Sequence, residues 1–213
     1  MGTENSVSGL AELDVWPSIY AAERGTEKEV LSLLPEKGAT GVHVDVMDGR
    51  VVPSSSWSVN DVAGFVRDSP LPVEAHLMVE DSDSVVKELL SVGLYRIFVH
   101  PEWVSSVGEV LQTIRANDVG AGLVLSPGLD VEVISKWADK IDSLLVMTSQ
   151  PGMRSAPFEA DSFARVQDVI SFLESSGFEV SVGVDGGVTF ERLSIFSALG
   201  VTHAVIGRDF FRR

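Results

Sequence analysis

The 213-residue sequence contains no cysteine, which excludes disulfides, thiolate catalysis and cysteine-ligated zinc or iron–sulfur centres. A bound metal would therefore need ligands from histidine, aspartate or glutamate. Basic residues are scarce as well, because 16 lysines and arginines stand against 31 aspartates and glutamates, a formal net charge of −15. A surface of this sign repels the phosphates of nucleic acids and of anionic lipids, so we expect neither as a partner.

Long apolar runs are also absent. No segment approaches the ~20 apolar residues that span a bilayer, and residues 1–10 lack the basic-then-apolar order of a signal peptide. We therefore expect a cytoplasmic protein without membrane contact, whose residues 1–12 form a loose N-terminal segment. Apolar residues make up 45% of the chain and charged residues 22%, a composition that is sufficient for a sizeable core and unlike that of a disordered chain.

Eight short apolar segments have the length and the valine and isoleucine content of strands, and they alternate with segments of helical periodicity. The predicted strands cover residues 15–19, 41–46, 73–78, 94–99, 120–125, 143–147, 179–184 and 202–206. This alternation predicts an α/β protein with a parallel sheet, and eight βα units suit one (β/α)8 barrel domain over residues 1–213. An open doubly wound sheet is the competing architecture. Its dinucleotide-binding form has no support, because no Gly-x-Gly-x-x-Gly follows the first strand.

Polar side chains interrupt three of these strands near their carboxyl ends. His43 and Asp45 share one face of the second strand, since side chains alternate along a strand, and His76 and Asp185 lie in the third and seventh. Singly, each has an ordinary explanation as a buried polar pair, a core histidine or a turn aspartate. Together, at one mouth of a barrel, they form a plausible four-ligand site for a divalent ion. Zinc, manganese, iron and cobalt all fit mixed nitrogen and oxygen ligands.

The two aspartates also indicate a type of chemistry. Asp45 and Asp185 lie on strands three apart in an eight-strand ring, so they could face each other across a substrate. Two opposed carboxylates suit removal of a proton from one face of a carbon and its return on the other, through an enediolate stabilised by the metal. Gly186-Gly187 and Gly207-Arg208 are candidate phosphate cradles after strands seven and eight, with ordinary turns as the alternative.

The order of these motifs resembles the ribulose-phosphate 3-epimerase family. The matching segments, within residues 15–211, are Pro17-Ser18-Ile19, His43-Val44-Asp45-Val46-Met47-Asp48-Gly49, His76-Leu77-Met78-Val79, Val99-His100-Pro101-Glu102, Leu145-Val146-Met147-Thr148, Pro151-Gly152 and Val184-Asp185-Gly186-Gly187-Val188. The resemblance implies a TIM barrel of the ribulose-phosphate-binding type and a homo-oligomeric isomerase of the pentose phosphate pathway. Its reaction would interconvert D-ribulose 5-phosphate and D-xylulose 5-phosphate at C3.

The resemblance also implies roles for individual residues. The ligands of one divalent ion would be His43, Asp45, His76 and Asp185, and the two aspartates would be the acid/base groups. The predicted substrate-binding residues are Ser18, Met47, His76, Met78, Met147, Gly152, Arg154, Ser155, Gly186, Gly187, Gly207 and Arg208. Of these, the resemblance implies Ser18 and the three methionines, whereas Arg154, Ser155 and Arg208 stand at positions where the sequence departs from the family pattern. The three methionines would form an apolar cap beside the enediolate, with core filling as the alternative. We expect structural roles for His100, Glu102 and His203.

Two loops depart from the family pattern. Met153-Arg154-Ser155 follows Pro151-Gly152 where the family has Phe-Gly-Gly, and Arg208 stands where it has serine. Either arginine could replace lost backbone contacts to a phosphate, although Arg154 could equally contact only water. Two alternatives therefore stay open: an epimerase of a six-carbon ketose phosphate, and a non-catalytic descendant that binds a sugar phosphate or a protein partner. The related hexulose-phosphate synthases and orotidine-phosphate decarboxylases are disfavoured, because Met47 stands where their strand has lysine.

Overall fold

Eight parallel strands form the centre of the computed structural model, which describes residues 13–153 and 156–212. The strands are β1 (Asp14–Pro17), β2 (Val42–Met47), β3 (Val73–Met78), β4 (Arg96–Val99), β5 (Gly120–Leu125), β6 (Ser143–Met147), β7 (Ser181–Asp185) and β8 (His203–Ile206). They pair in the order β1-β8-β7-β6-β5-β4-β3-β2, and a parallel bridge between Ser18 and His43 brings the two outer strands together. The predicted (β/α)8 barrel is confirmed.

Helices lie between the strands and after β8. They are α1 (Glu27–Leu33), α2 (Val59–Asp68), α3 (Ser82–Leu89), α4 (Val107–Arg115), α5 (Ser162–Ser176), α6 (Leu193–Leu199) and α7 (Arg208–Phe211). The β5–β6 connection differs, since it consists of the 3-10 turns Val131–Lys136 and Ala138–Lys140. Helix α2 begins with a reciprocal cap: the Ser58 side chain accepts a hydrogen bond from the Asp61 backbone N–H, and the Asp61 carboxylate accepts one from the Ser58 backbone N–H. None of the helices in the described ranges has the length and apolarity needed to cross a membrane.

The apolar core has an outer layer and an inner layer. Val42, Val44 and Val46 belong to the outer layer between strands and helices, as strand alternation predicts. The inner layer, which fills the barrel, contains Trp16, Phe98, Val124, Leu145, Met147 and Val205. Glycines make room for its rings, because a β-carbon on Gly122 would overlap Phe98, and one on Gly183 would overlap the His203 ring. The barrel interior is therefore filled by large rings and polar groups packed without spare space.

The register of the strands determines which polar side chains meet. Asp45 lies beside His76 on the neighbouring strand, and Met147 lies beside Asp185. One layer deeper, His43 lies beside Glu74, and Glu74 lies beside Arg96 on β4. Paired residues in a parallel sheet point to the same face, so both layers project into the barrel. The upper layer lies at the carboxyl ends of the strands, where barrel enzymes place their active sites.

Candidate active site

His43, Asp45, His76 and Asp185 meet at the carboxyl end of the barrel, with one potential ligand atom from each within 4.8 Å of the others. His43 Nε2 lies 3.4 Å from Asp45 Oδ1 and 3.8 Å from Asp185 Oδ2. His76 Nδ1 lies 3.4 Å and 3.5 Å from the same two oxygens. Two donors about 2.1 Å from one tetrahedral ion are about 3.4 Å apart. The spacing of the four groups therefore suits a shared divalent ion.

The imidazole nitrogens at this cluster provide an independent test of that fit. His43 Nε2 and His76 Nδ1 are buried and have no hydrogen-bond partner, while both rings are fully buried. An unsatisfied buried nitrogen is costly unless something binds it. The opposite nitrogen of each ring is already held, His43 Nδ1 by Glu74 at 2.7 Å and His76 Nε2 by His100 at 2.8 Å. The residues therefore fit a metal ion, with the two nitrogens facing the same point as the carboxylates.

The electrostatics of the cluster favour an added positive charge. Burial lowers the pKa of His43 and of His76, but the nearby carboxylates outweigh it and raise both pKa values above the ordinary range. Burial likewise opposes ionisation of Asp45, yet the two histidines bring its pKa well below the ordinary range. The cluster thus stabilises positive charge on its imidazoles. A divalent ion would take the place of those protons.

A buried ion pair lies directly beneath the cluster. Glu74 accepts hydrogen bonds from Arg96 at 2.6 and 3.0 Å, and its other carboxylate oxygen is 2.7 Å from His43 Nδ1. Burial opposes the charge on Glu74, but Arg96 and His43 lower its pKa to about 2. Neither residue of this pair is among the site residues predicted from the sequence. The signal was available, because alternation along β3 puts Glu74 on the same inward face as His76.

A cavity of about 260 Å³ opens above the cluster. Its walls include these predicted residues: Ser18, Asp45, Met47, Met78, Met147, Gly152, Asp185, Gly186, Gly187, Gly207 and Arg208. The cavity is also lined by residues that are not predicted from the sequence: Tyr20, Gln150, Thr189 and Arg212. Ser18 donates a hydrogen bond to Asp45 Oδ2 at 2.6 Å, so it positions this carboxylate as well as facing the cavity.

Three glycines of the cavity wall have conformations that other residues rarely adopt. Gly152, Gly186 and Gly187 have φ values of +67°, +111° and +64°. A β-carbon on Gly186 would overlap Ser149, and the Thr148 hydroxyl donates hydrogen bonds to the carbonyls of Asp185 and Gly186. The turn after β7 is therefore tightly held beside the carboxylate that precedes it. Its backbone borders the cavity on the side opposite β2 and β3.

Comparison with known sequences identifies the family. The profile of the ribulose-phosphate 3-epimerase family matches residues 14–211. The chain belongs to this family. It is 31% identical over 199 residues to the ribulose-phosphate 3-epimerase of Chlamydia muridarum, and 31% identical over 197 residues to that of Escherichia coli K12. Each match covers 92% of this chain and 87% of the relative.

Comparison with solved structures supports the fold alone. Two mutant structures of the tryptophan synthase α-subunit from Pyrococcus furiosus superpose with TM-scores of 0.66 and 0.68, at 16% and 13% identity. Both alignments cover 92% of this chain and 87% of the other. At this low sequence identity, the structural match supports the barrel fold but not any particular activity.

The sequence departures that we expect to affect phosphate binding follow Met153 and Gly207. Arg154 and Ser155 lie outside the described residues, so their substrate role stays a prediction. Arg208 begins α7 directly after β8 and borders the cavity, as does Arg212 one turn later. Two arginines, Arg208 and Arg212, therefore lie at the rim of the cavity.

Proposed function

We propose that this enzyme interconverts D-ribulose 5-phosphate and D-xylulose 5-phosphate by epimerisation at C3, using one divalent ion held by His43, Asp45, His76 and Asp185. Family membership supports an epimerase. The observation that carries the proposal is the convergence of two carboxylates and two unpartnered imidazole nitrogens at the floor of one cavity. A divalent ion at this position would act as a Lewis acid that stabilises negative charge on the substrate oxygens when C3 loses its proton.

The two aspartates are the proposed proton carriers. Ser18 donates a hydrogen bond to Asp45 Oδ2 at 2.6 Å, which orients this carboxylate at the cavity wall. Asp45 would accept the C3 proton of the substrate that presents that proton toward β2. Asp185, on β7, would donate its own proton to the opposite face of C3. The other epimer would use the same pair with the roles exchanged.

Three methionines form the proposed apolar wall. Met47, Met78 and Met147 are each at most 5% exposed, yet each borders the cavity. Thioethers offer weak acceptors and no strong donors, so they would exclude water beside the reacting carbon without protonating it. Polarisable, flexible side chains also adapt to both epimers of the substrate.

The phosphate is proposed to lie at the cavity rim, between the turn after β7 and the start of α7. Gly186, Gly187 and Gly207 would let the backbone approach it closely. Arg208 and Arg212 supply positive charge at the rim, which a chain of net charge −15 needs in order to hold an anionic substrate. Arg154 and Ser155, which follow Met153 in the sequence, are proposed to contribute on the basis of the sequence alone.

Family resemblance supports three further proposals, about the location, the pathway and the oligomeric state of this enzyme. We propose that it is cytoplasmic, that it acts in the pentose phosphate pathway and that it forms a homo-oligomer from single-domain chains. Gel filtration with light scattering tests the last of these, since a mass equal to one chain would contradict it.

Proton exchange tests the reaction. The metal-loaded enzyme is incubated with D-ribulose 5-phosphate in deuterated water, and NMR follows the label. We expect D-xylulose 5-phosphate to form with deuterium at C3. Exchange with D-fructose 6-phosphate but not with the pentose would instead support the six-carbon alternative, and binding without any exchange would support the non-catalytic one. Either result contradicts the proposal.

A variant pair tests the assigned roles. Asp185→Asn removes one proton carrier and is expected to reduce turnover by at least about 10²-fold. Asp118→Asn is the matched control, since Asp118 is exposed before β5 at the opposite end of the barrel and its left-handed backbone, φ 58°, tolerates asparagine. Near-normal turnover of Asp185→Asn would refute the two-carboxylate mechanism.

A further inference from the structure

A chain of hydrogen bonds extends from His76 away from the cavity. His76 Nε2 lies 2.8 Å from His100 Nε2. On the far side, His100 Nδ1 lies 2.9 Å from Ser126 Oγ and 3.3 Å from Glu102 Oε1, and the Ser126 hydroxyl is in close contact with the same Glu102 oxygen. His100 is fully buried. These hydrogen bonds therefore link a proposed metal ligand on β3 to residues that follow β4 and β5.

The chemistry of these groups determines the direction in which the hydrogen bonds are donated, from His76 toward Glu102. The Glu102 carboxylate can only accept hydrogen bonds. Ser126 gives its single hydroxyl proton to Glu102, so its oxygen is left to accept from His100 Nδ1–H. A neutral imidazole with its proton on Nδ1 has a bare Nε2, which must accept from His76 Nε2–H. His76 Nδ1 is then bare, and this is the unpartnered nitrogen that faces the cluster.

The surroundings hold the chain in place. The Trp103 and His100 rings have centroids 4.0 Å apart, and Arg165 donates a hydrogen bond to the Ser126 carbonyl. The other histidine of the cluster, His43, reaches a carboxylate directly, because its Nδ1 contacts Glu74. Both rings thus have an outer carboxylate that fixes the position of the proton, and His76 reaches its carboxylate through a second imidazole.

We propose that Glu102, acting through His100, is a positioning residue that holds the proton of His76 on Nε2 and keeps Nδ1 available for a divalent ion. The inference rests on the proposed metal site and extends it to residues that do not touch the ion. Partners of this kind typically change metal affinity 10–100-fold when they are altered.

The test uses a substitution that reverses the polarity of the chain. In Glu102→Gln the new amide can donate to His100 Nδ1, which would move the His100 proton to Nε2 and the His76 proton to Nδ1. We expect Co²⁺ affinity, measured by competition with a chelator, to fall about 10–100-fold. Glu102→Ala removes the carboxylate without adding a donor, so its loss of affinity should be smaller. Glu132→Gln, at an exposed position after β5, is the control and should match the parent.

The second readout needs neither metal nor activity. Long-range ¹⁵N–¹H NMR spectra of the metal-free protein at alkaline pH report which ring nitrogen of each of the four histidines carries its proton. We expect Nε2–H for His76 in the parent and Nδ1–H in Glu102→Gln. An unchanged tautomer overturns the proposal, and so does a greater loss of Co²⁺ affinity in Glu102→Ala than in Glu102→Gln, because a purely structural role gives that order. Failure of epimerisation alone would refute the proposed function and leave this tautomer result standing.

Discussion

Replacing Glu74 with glutamine removes the negative charge that holds a buried arginine beneath the active site. Glu74 is fully buried and is bonded to both Arg96 and His43. Its pKa falls from an ordinary 4.5 to about 2, which corresponds to about 3 kcal/mol in favour of the charged form. Breaking a buried pair by removing one partner costs about 3–5 kcal/mol. We therefore expect Glu74→Gln to lower the free energy of unfolding by about 3 kcal/mol at pH 7.

Urea unfolding of the metal-free protein measures this loss. With a denaturant dependence of about 3 kcal/mol per molar, the unfolding midpoint should fall by about 1 M. Glu80→Gln is a closely matched control, because Glu80 and Arg50 also pair at 2.6 Å but both side chains are more than half exposed. Solvent screening makes such exposed pairs weak, and the control should match the parent within error. Equal midpoints for Glu74→Gln and Glu80→Gln would refute the reasoning.

The pH dependence of the difference in unfolding free energy between the parent and Glu74→Gln tests whether the Glu74 charge causes it. A carboxylate whose pKa is lowered by folding stabilises the protein above its unfolded pKa, and this stabilisation is lost as the pH falls through the folded value. The gap between parent and Glu74→Gln should therefore be complete above pH 4.5 and should close toward pH 2. A gap that stays constant over that range would mean that packing, and not charge, causes the loss.

The remaining predictions concern packing, metal binding and substrate. Gly183→Ala should lower the thermal unfolding midpoint, because its β-carbon would overlap a ring inside the barrel. Gly64→Ala in helix α2 should raise the midpoint, because it removes about 1 kcal/mol of helix-propensity cost. The opposite order of midpoints would contradict the tight packing around Gly183. Protons on His43 and His76 compete with the ion, and the pKa values of both histidines are raised. Metal affinity measured by calorimetry should therefore increase with pH through and above pH 6.5, and binding should release protons. An affinity that does not change with pH would argue against imidazole ligands. Arg208→Ala should raise KM with little change in kcat if the side chain holds the phosphate in substrate and transition state alike, and an unchanged KM would remove it from the site.

Most of the barrel could be predicted from the sequence, because local patterns determine it. Valine-rich segments such as 42–46 can bury one face against helices only as strands. The strand ends were less predictable. The first predicted strand runs to residue 19, whereas β1 ends at Pro17 and Ile19–Ala21 forms a 3-10 turn. Ser18 still bridges to β2, so its hydroxyl reaches the second strand from just beyond the end of the first.

The proposed ligands could be predicted as a group, because polar residues at strand ends of one barrel converge on one mouth. Alternation along β3 also predicts that Glu74, the outer partner of His43, points inward. The contact of His100 with His76 is not predictable in this way, because it depends on how the turn after β4 folds back. The sequence suggested only a structural role for His100. Likewise, no local pattern distinguishes Arg212 from a solvated terminal residue, and only the return of α7 over the cavity brings it to the rim.

A crystal structure of the zinc-loaded enzyme, with the ion located by anomalous scattering, would show whether the four side chains bind one ion. We expect one zinc ion per chain, at about 2.0–2.2 Å from His43 Nε2, His76 Nδ1 and a carboxylate oxygen of each aspartate. A zinc ion bound elsewhere on the chain, with these four side chains left without one, would contradict it.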